Sequence, residues 1–112
     1  MKTEDADQSH VGPIVFSDET ARNQLVENGK VVTFRSADRT TGDTWWRESR
    51  LGEKKGDVTV EKIGLADPAP PCSNMDDYWE LSGFESLEEW QDAIESLNGT
   101  LDVGYLYLVE EQ

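Results

Sequence analysis

The stretch Gly29-Lys30-Val31-Val32-Thr33-Phe34-Arg35 alternates in the way that a β-strand does, and the rest of the chain is organised around it. Successive side chains of an extended chain point to opposite faces. Val32 and Phe34 therefore share one face, while Thr33 and Arg35 share the other. We expect one face to enter the core and the other to offer a hydroxyl and a guanidinium to a ligand.

The segments before this strand predict one short strand and one helix. The apolar run 14–16 is too short for a helix and is bounded by turn residues. Ser17 or Asp18 can cap a helix that runs to Asn28, and Gly29 can end that helix in the left-handed conformation. The expected inward residues of the helix are Ala21, Leu25 and Val26.

The segments after the strand add two strands and a second helix. The predicted order is an exposed loop over 36–44, a turn at 52–56, a strand over 57–63, a Pro-rich connector over 66–74, a helix over 86–97 and an apolar last strand over 101–109. A capping box formed by Ser86 and Glu89 starts the second helix, and its predicted apolar face consists of Leu87, Trp90, Ile94 and Leu97. The pattern predicts an α+β domain around a small mixed sheet, without internal repeats.

The composition is that of a small and very acidic folded domain. The 112 residues include 24 acidic and 10 basic side chains, which gives a formal net charge of -14. A chain of this length has room for one domain with a real core. Residues 1–11 are polar and are expected to form a disordered tail, which leaves 12–112 as the domain. The acidic excess resembles a salt-adapted surface and predicts a halophilic source.

The positive charge is concentrated in one part of the chain. Eight of the ten basic residues lie between positions 30 and 62, together with only six of the acidic residues. This window is therefore the place to look for contacts with an anionic ligand.

Cysteine and histidine usage limits both the compartment and the chemistry. The lone Cys72 cannot form an internal disulfide, which fits a reducing cytoplasm. We expect no membrane span and no export leader, hence a cytoplasmic protein. Because His10 is the single histidine, we expect no zinc site, and no cofactor is expected because no Gly-rich phosphate loop is present.

The pair Trp45-Trp46, followed by Arg47 and Arg50, allows two interpretations. One tryptophan can fill the core while the other covers a sheet edge. Alternatively, an indole beside guanidinium groups offers a surface on which a nucleobase stacks. A strand would put the two indoles on opposite faces, so at most one of them is expected in a pocket.

The order of these features resembles the ASCH domains, a family with a PUA-like fold. The resemblance covers about residues 14–109. It rests on the Gly-Lys-x-x-Thr-x-Arg pattern of 29–35, on Gly56-Asp57-Val58 leading into a strand, on Ser82-Gly83-Phe84 before the second helix, and on the apolar last strand. It implies a small mixed β-barrel flanked by two or three helices, with a cleft lined by the segment 29–35.

The resemblance also implies two functions. ASCH domains are proposed to bind RNA or nucleotides, and we expect such a ligand for a monomeric protein here. The residues expected to contact it are Arg35, Arg39, Trp45, Trp46, Arg47, Arg50 and Ser82. Some small members are amidohydrolases that deacetylate N4-acetylcytidine with a lysine, a threonine and a glutamate. The first two fall on Lys30 and Thr33. The place of the glutamate is taken by Ser82, with Glu80 as the nearest preceding acid.

The residues themselves leave simpler roles open. Lys30 can stabilise the carbonyls at a helix C-terminus, and Thr33 can be an ordinary strand residue. As a nucleophile, Thr33 would need a neutral lysine nearby, yet a regular strand places residues three apart on opposite faces unless a bulge intervenes. Arg35 needs an acceptor, either Glu61 or a ligand phosphate. An adaptor that binds another protein through its acidic surface is a third interpretation.

Overall fold

The computed structural model of the chain describes residues 11–69 and 75–112. In that part the chain forms an α+β domain, in which a curled five-stranded sheet makes half of a barrel and carries two helices. The elements are β1 (Ile14–Val15), α1 (Glu19–Asn28), β2 (Lys30–Arg35), β3 (Gly42–Arg47), β4 (Gly56–Ala66), a 3-10 turn (Trp79–Leu81), α2 (Leu87–Asn98) and β5 (Gly104–Glu111).

The sheet is mixed, as predicted. Its strand order is β1-β3-β4-β5-β2, and β1 runs parallel to β3 while the other neighbours are antiparallel. The expectation of a barrel is met only in part, because β1 and β2 are the two edges of the sheet. We call the gap between these edge strands the seam.

The helix α1 begins and ends at the predicted residues. The Asp18 carboxylate accepts a hydrogen bond from the Thr20 amide at 2.8 Å, and Gly29 at φ 82° ends the helix by donating to the carbonyl of Leu25. Leu25 is buried, as predicted, whereas Val26 is 56% exposed. Because each residue of a helix turns the side chain by about 100°, Val26 points away from the face that Leu25 buries.

The helix α2 also begins at its predicted cap. The Ser86 hydroxyl accepts from the Glu89 amide at 3.1 Å, and Trp90 and Ile94 are buried. Leu97 was expected on this apolar face but is 64% exposed. Leu97 lies in the last turn of α2, next to the final residue Asn98, where it borders open space rather than the core.

Both faces of β2 are buried, which the sequence did not predict. Val31 packs with Leu25 and Tyr107 in a core inside the curl of the sheet, whereas Val32 packs with Trp90 in a second core below α2. We call the core that contains Val31 the inner core. Val31, Thr33 and Arg35 share one face of β2, and this face becomes more exposed from Val31 to Arg35, toward the seam.

Other boundaries differ from the expected ones by a few residues. β3 begins at Gly42, inside the predicted loop, and β4 continues to Ala66 through a register irregularity between Lys62 and Gly64. Residues 1–10 of the predicted tail and residues 70–74 at the end of the predicted connector, which include Cys72, lie outside the described residues. Within 11–69 and 75–112, no helix is both long and apolar enough to cross a membrane.

Candidate functional site

The seam contains a cavity of about 420 Å³. Its walls come from the junction of β1 with α1, from the second half of β2, from the loop after β2 and from the end of α2. The lining residues are Val15, Phe16, Ser17, Asp18, Ala21, Thr33, Phe34, Arg35, Ser36, Ala37, Asp38, Arg39, Leu97 and Asn98. Thr33, Phe34 and Arg35, the second half of β2, therefore lie in the wall of the main cavity.

A smaller recess of about 50 Å³ adjoins the main cavity. The two share the walls Asp18, Ala21, Thr33, Phe34 and Leu97. The remaining walls of the recess are mostly apolar and consist of Val32, Ser82, Phe84, Trp90 and Ala93. The site thus has a polar part at the loop after β2 and an apolar part below α2.

Arg35 stands at the polar part and spans the seam. Its Nη2 donates to the Val15 carbonyl at 3.0 Å, and its guanidinium lies 5.1 Å from the centre of the Phe16 ring. Its Nε is buried and has no hydrogen-bond partner, and no carboxylate among the described residues forms an ion pair with Arg35. Burial, aided by the nearby charge of Arg39, lowers the pKa of Arg35 to about 10, so Arg35 stays cationic at neutral pH.

Two more arginines donate hydrogen bonds to backbone carbonyls of the segment 12–17, which contains β1. Arg39 donates from Nη2 to the Gly12 carbonyl at 2.6 Å, and Arg22 donates from Nη1 to the carbonyls of Phe16 and Ser17. Burial lowers the pKa of Arg39. Arg35 and Arg39 place two cations in the cavity wall, and neither has a carboxylate partner within the described ranges.

Asp38 fixes the loop that carries Arg39. Its Oδ1 accepts from Tyr107 Oη at 2.8 Å, from Lys62 Nζ at 2.9 Å and from the Arg39 amide at 2.9 Å. The Arg39 amide is also 2.9 Å from Tyr107 Oη, which accepts from it. The hydrogen bonds from Lys62 and Tyr107 lower the pKa of Asp38, while burial and the bond to Asp38 raise the pKa of Tyr107. The negative charge of Asp38 is therefore compensated by Lys62 and by these hydrogen bonds.

The structure does not bring Lys30 and Thr33 together. β2 pairs with β5 in an unbroken register from Lys30 to Arg35, so the strand has no bulge that could turn the two side chains to one side. Lys30 is exposed and is absent from the cavity walls, whereas Thr33 is buried and lines both the cavity and the recess. In this geometry Thr33 lacks the base that the hydrolase hypothesis assigns to it.

The two residues considered for the place of the family glutamate are also separated from the polar part. Glu80 is exposed on the 3-10 turn and lines neither cavity. Ser82 is buried in the wall of the recess, where its hydroxyl donates to the Trp79 carbonyl and accepts from the Phe84 amide. Those two contacts give the Ser82 hydroxyl a structural role in the turn before α2.

The tryptophans and their neighbouring arginines lie away from the cavity. Trp46 is buried against Phe16 at a ring distance of 6.1 Å, which agrees with the core-filling interpretation. Trp45 is half-buried, and the Arg47 guanidinium already lies 5.3 Å from its ring centre. Arg50 is exposed in the turn between β3 and β4. None of these four side chains lines the main cavity or the recess.

Several cavity residues were not predicted. Asp18 was assigned only a capping role, and Phe34 only a place in the core, yet both line the cavity and the recess. Asp38, which lines the main cavity, and its partner Tyr107, which lies outside the cavity walls, were not singled out, because their hydrogen bond joins residues 69 positions apart. The one signal in the sequence was that Asp38 is an acidic residue next to Arg39, within the window 30–62 in which the basic residues are concentrated.

Comparisons with protein-family models, with curated proteins and with solved structures find no match. In the described part of the chain, no group of three His, Cys, Asp or Glu side chains is arranged to hold a metal ion. The functional argument therefore rests on the cavity itself.

Proposed function

We propose that this protein binds a nucleotide, free or at the end of a single-stranded RNA, with the phosphate at Arg35 and Arg39 in the seam. The observation that carries the proposal is the Arg35 guanidinium. It lines the cavity with a buried Nε that has no hydrogen-bond partner, in a chain that has 24 acidic side chains and yet offers it none among the described residues.

A half-buried guanidinium that has a buried, unpartnered Nε and no counter-ion favours an anionic ligand on physical grounds. Leaving a buried donor unpaired costs about 1–3 kcal/mol, and more for a charged group. A phosphate oxygen would accept from the free donors of Arg35 and restore that energy, in the forked geometry that arginine favours. Arg39 would add a second positive charge on the same side of the ligand.

The size and division of the site fit a mononucleotide. A volume of about 420 Å³ lies in the range of roughly 300–1,000 Å³ that is typical of small-molecule sites. Phe34 lines both the main cavity and the apolar recess, so it offers an aromatic surface to a base whose phosphate is held at Arg35. The base would lie toward the recess.

The proposal extends to the family. The helix, the Gly-Lys-x-x-Thr-x-Arg strand and the last apolar strand occur in the order that the ASCH resemblance requires, and the half-barrel has its cavity beside that strand. We infer a PUA-like, ASCH-type binding module. The hydrolase alternative has no supporting contact, because Lys30 does not line the cavity in whose wall Thr33 lies.

Titration of the protein with cytidine 5′-monophosphate by calorimetry tests the proposal. The buffer must contain enough salt to keep this acidic protein folded. Arg35→Gln should weaken binding about tenfold or more, since a charge-assisted hydrogen bond contributes about 1.5–3 kcal/mol. Arg35→Lys should bind with an intermediate affinity, because lysine keeps the positive charge but lacks the planar guanidinium that donates two hydrogen bonds to one phosphate.

Arg50→Gln provides the matched control. It removes the same charge from an exposed turn outside the cavity, so it should bind as the wild type does. Thermal unfolding of each variant reports whether loss of the Arg35 contact to the Val15 carbonyl has disturbed the fold. If Arg35→Gln and Arg50→Gln are both folded and bind cytidine 5′-monophosphate equally well, the phosphate does not lie at Arg35. If the wild type binds no nucleotide at millimolar concentration, the proposal fails.

A further inference from the structure

Asp18 is the one acidic residue that lines both the main cavity and the apolar recess. Its Oδ1 accepts the hydrogen bond from the Thr20 amide that caps α1. Within residues 11–69 and 75–112, its other oxygen accepts no hydrogen bond and no cation forms an ion pair with it. One carboxylate oxygen is therefore free at the junction of the two parts of the site.

The position of this carboxylate relative to the cations sets the direction of a bound nucleotide. Arg35 and Arg39 line only the main cavity, whereas Asp18 also borders the recess. A phosphate is attracted by the two arginines and repelled by Asp18, whereas the charge of Asp38 in the same cavity wall is compensated by its ion pair with Lys62. The base is then the part of the ligand that meets Asp18.

A carboxylate distinguishes nucleobases by the group they present. It accepts a hydrogen bond from an exocyclic amino group, such as N4 of cytosine. An oxo group at the same position, such as O4 of uracil, is itself an acceptor and would leave two acceptors facing each other. Cytosine and uracil, and adenine and hypoxanthine, differ in this way at the exocyclic group, and in the oxo member of each pair the neighbouring ring nitrogen changes from an acceptor to a donor.

We propose that Asp18 reads the edge of the base and selects nucleobases that carry an exocyclic amino group over those that carry an oxo group in its place. This inference rests on the proposed function, and it adds the class of base to it. It assigns Asp18 a second role beside the cap of α1, with one carboxylate oxygen for each role.

Binding of four nucleotides to wild type and Asp18→Asn tests the proposal. The ligands are the 5′-monophosphates of cytidine, uridine, adenosine and inosine, measured by calorimetry. The wild type should prefer each amino-bearing nucleotide by about tenfold or more over its oxo partner. Asp18→Asn should lose or invert both preferences, because the asparagine amide can donate to the oxo group.

The variant and its control separate specificity from folding. Asparagine caps helices about as well as aspartate, so Asp18→Asn should keep the melting temperature of the wild type. Asp92→Asn makes the same change at an exposed position of α2 outside both cavities and should leave the preferences intact.

The outcomes distinguish this inference from the proposed function. If nucleotides bind but amino and oxo partners bind equally, or if Asp18→Asn leaves the ratios unchanged, Asp18 does not read the base and the proposed function stands. If none of the four nucleotides binds to the wild type, the proposed function fails and the inference fails with it.

Discussion

Replacement of Tyr107 by phenylalanine tests whether the loop after β2 is held as the structure indicates. The Tyr107 ring is buried in the inner core, and its hydroxyl reaches the loop after β2, where it donates to Asp38 and accepts from the Arg39 amide. Phenylalanine keeps the ring and removes both contacts. The Arg39 amide retains its bond to Asp38 Oδ1 at 2.9 Å, so no buried donor is left unpaired.

The expected loss of stability is therefore modest. A hydrogen bond contributes about 0.5–1.5 kcal/mol net, and water can replace the hydroxyl at the exposed carboxylate, so we expect a decrease of about 1 kcal/mol in the free energy of unfolding. For a domain of this size that corresponds to a fall of about 4 °C in Tm. Because Arg39 is then less well held, affinity for cytidine 5′-monophosphate should also fall, by less than in Arg35→Gln.

Tyr105→Phe is the matched control. Tyr105 lies two residues earlier on the same face of β5, and its hydroxyl forms no hydrogen bond within the described ranges, although its ring contacts Lys62. Denaturant unfolding of both variants should show a loss in Tyr107→Phe alone. Equal stabilities of the two variants would refute the network, and a loss of 3 kcal/mol or more would mean that the hydroxyl satisfies a group with no other partner.

Two further predictions concern backbone packing and pH. Gly83 has a φ of 92°, and a Cβ there would lie 2.8 Å from the Thr20 carbonyl oxygen, so Gly83→Ala should destabilise the domain by about 2 kcal/mol or more, measured by denaturant unfolding. Gly29→Ala, at φ 82° with open space around it, should cost only about 1 kcal/mol, and equal losses would contradict the predicted overlap. Because the hydrogen bonds from Lys62 and Tyr107 lower the pKa of Asp38, the unfolded chain takes up this proton first as the pH falls. The stabilisation by the Asp38 carboxylate is complete above its ordinary pKa of 3.8 and is lost as the pH falls through the lowered pKa of the folded state. The difference in the free energy of unfolding between wild type and Asp38→Asn should therefore narrow in acid. A difference that stays constant with pH would contradict the assignment.

Local signals predicted the helices and the strands because each depends on residues close in sequence. Asp18 and Gly29 bound α1, and Ser86 starts α2, through contacts that span four residues or fewer. The closure of the sheet could not be predicted in the same way. Whether β1 meets β2 depends on strand order, which follows from the packing of the whole chain, and the sequence interpretation expected a barrel where the structure has a seam.

The sequence predicted that part of β2 borders the candidate site and did not predict the other cavity walls, for a related reason. Arg35 stood out because a guanidinium in a strand needs an acceptor, and the structure places it in the cavity wall. The aromatic pair Trp45-Trp46 was equally conspicuous in the sequence, but strand alternation sends Trp46 into the core and leaves Trp45 on a face away from the seam. Composition identifies unusual residues, whereas only the fold decides which of them share a cavity.

The segregation of charge seen in the sequence has a structural basis that bears on the ligand. Lys54, Lys55 and Lys62 form ion pairs with exposed carboxylates, so their charges are compensated at the surface. Arg35 and Arg39 instead bond to backbone carbonyls and keep their full charge within the cavity wall. A polyanion that extended beyond the cavity would meet a surface with a large excess of negative charge, which repels phosphate. Attraction is thus confined to the seam, and this favours a single nucleotide or one terminal residue of a strand over a long nucleic acid.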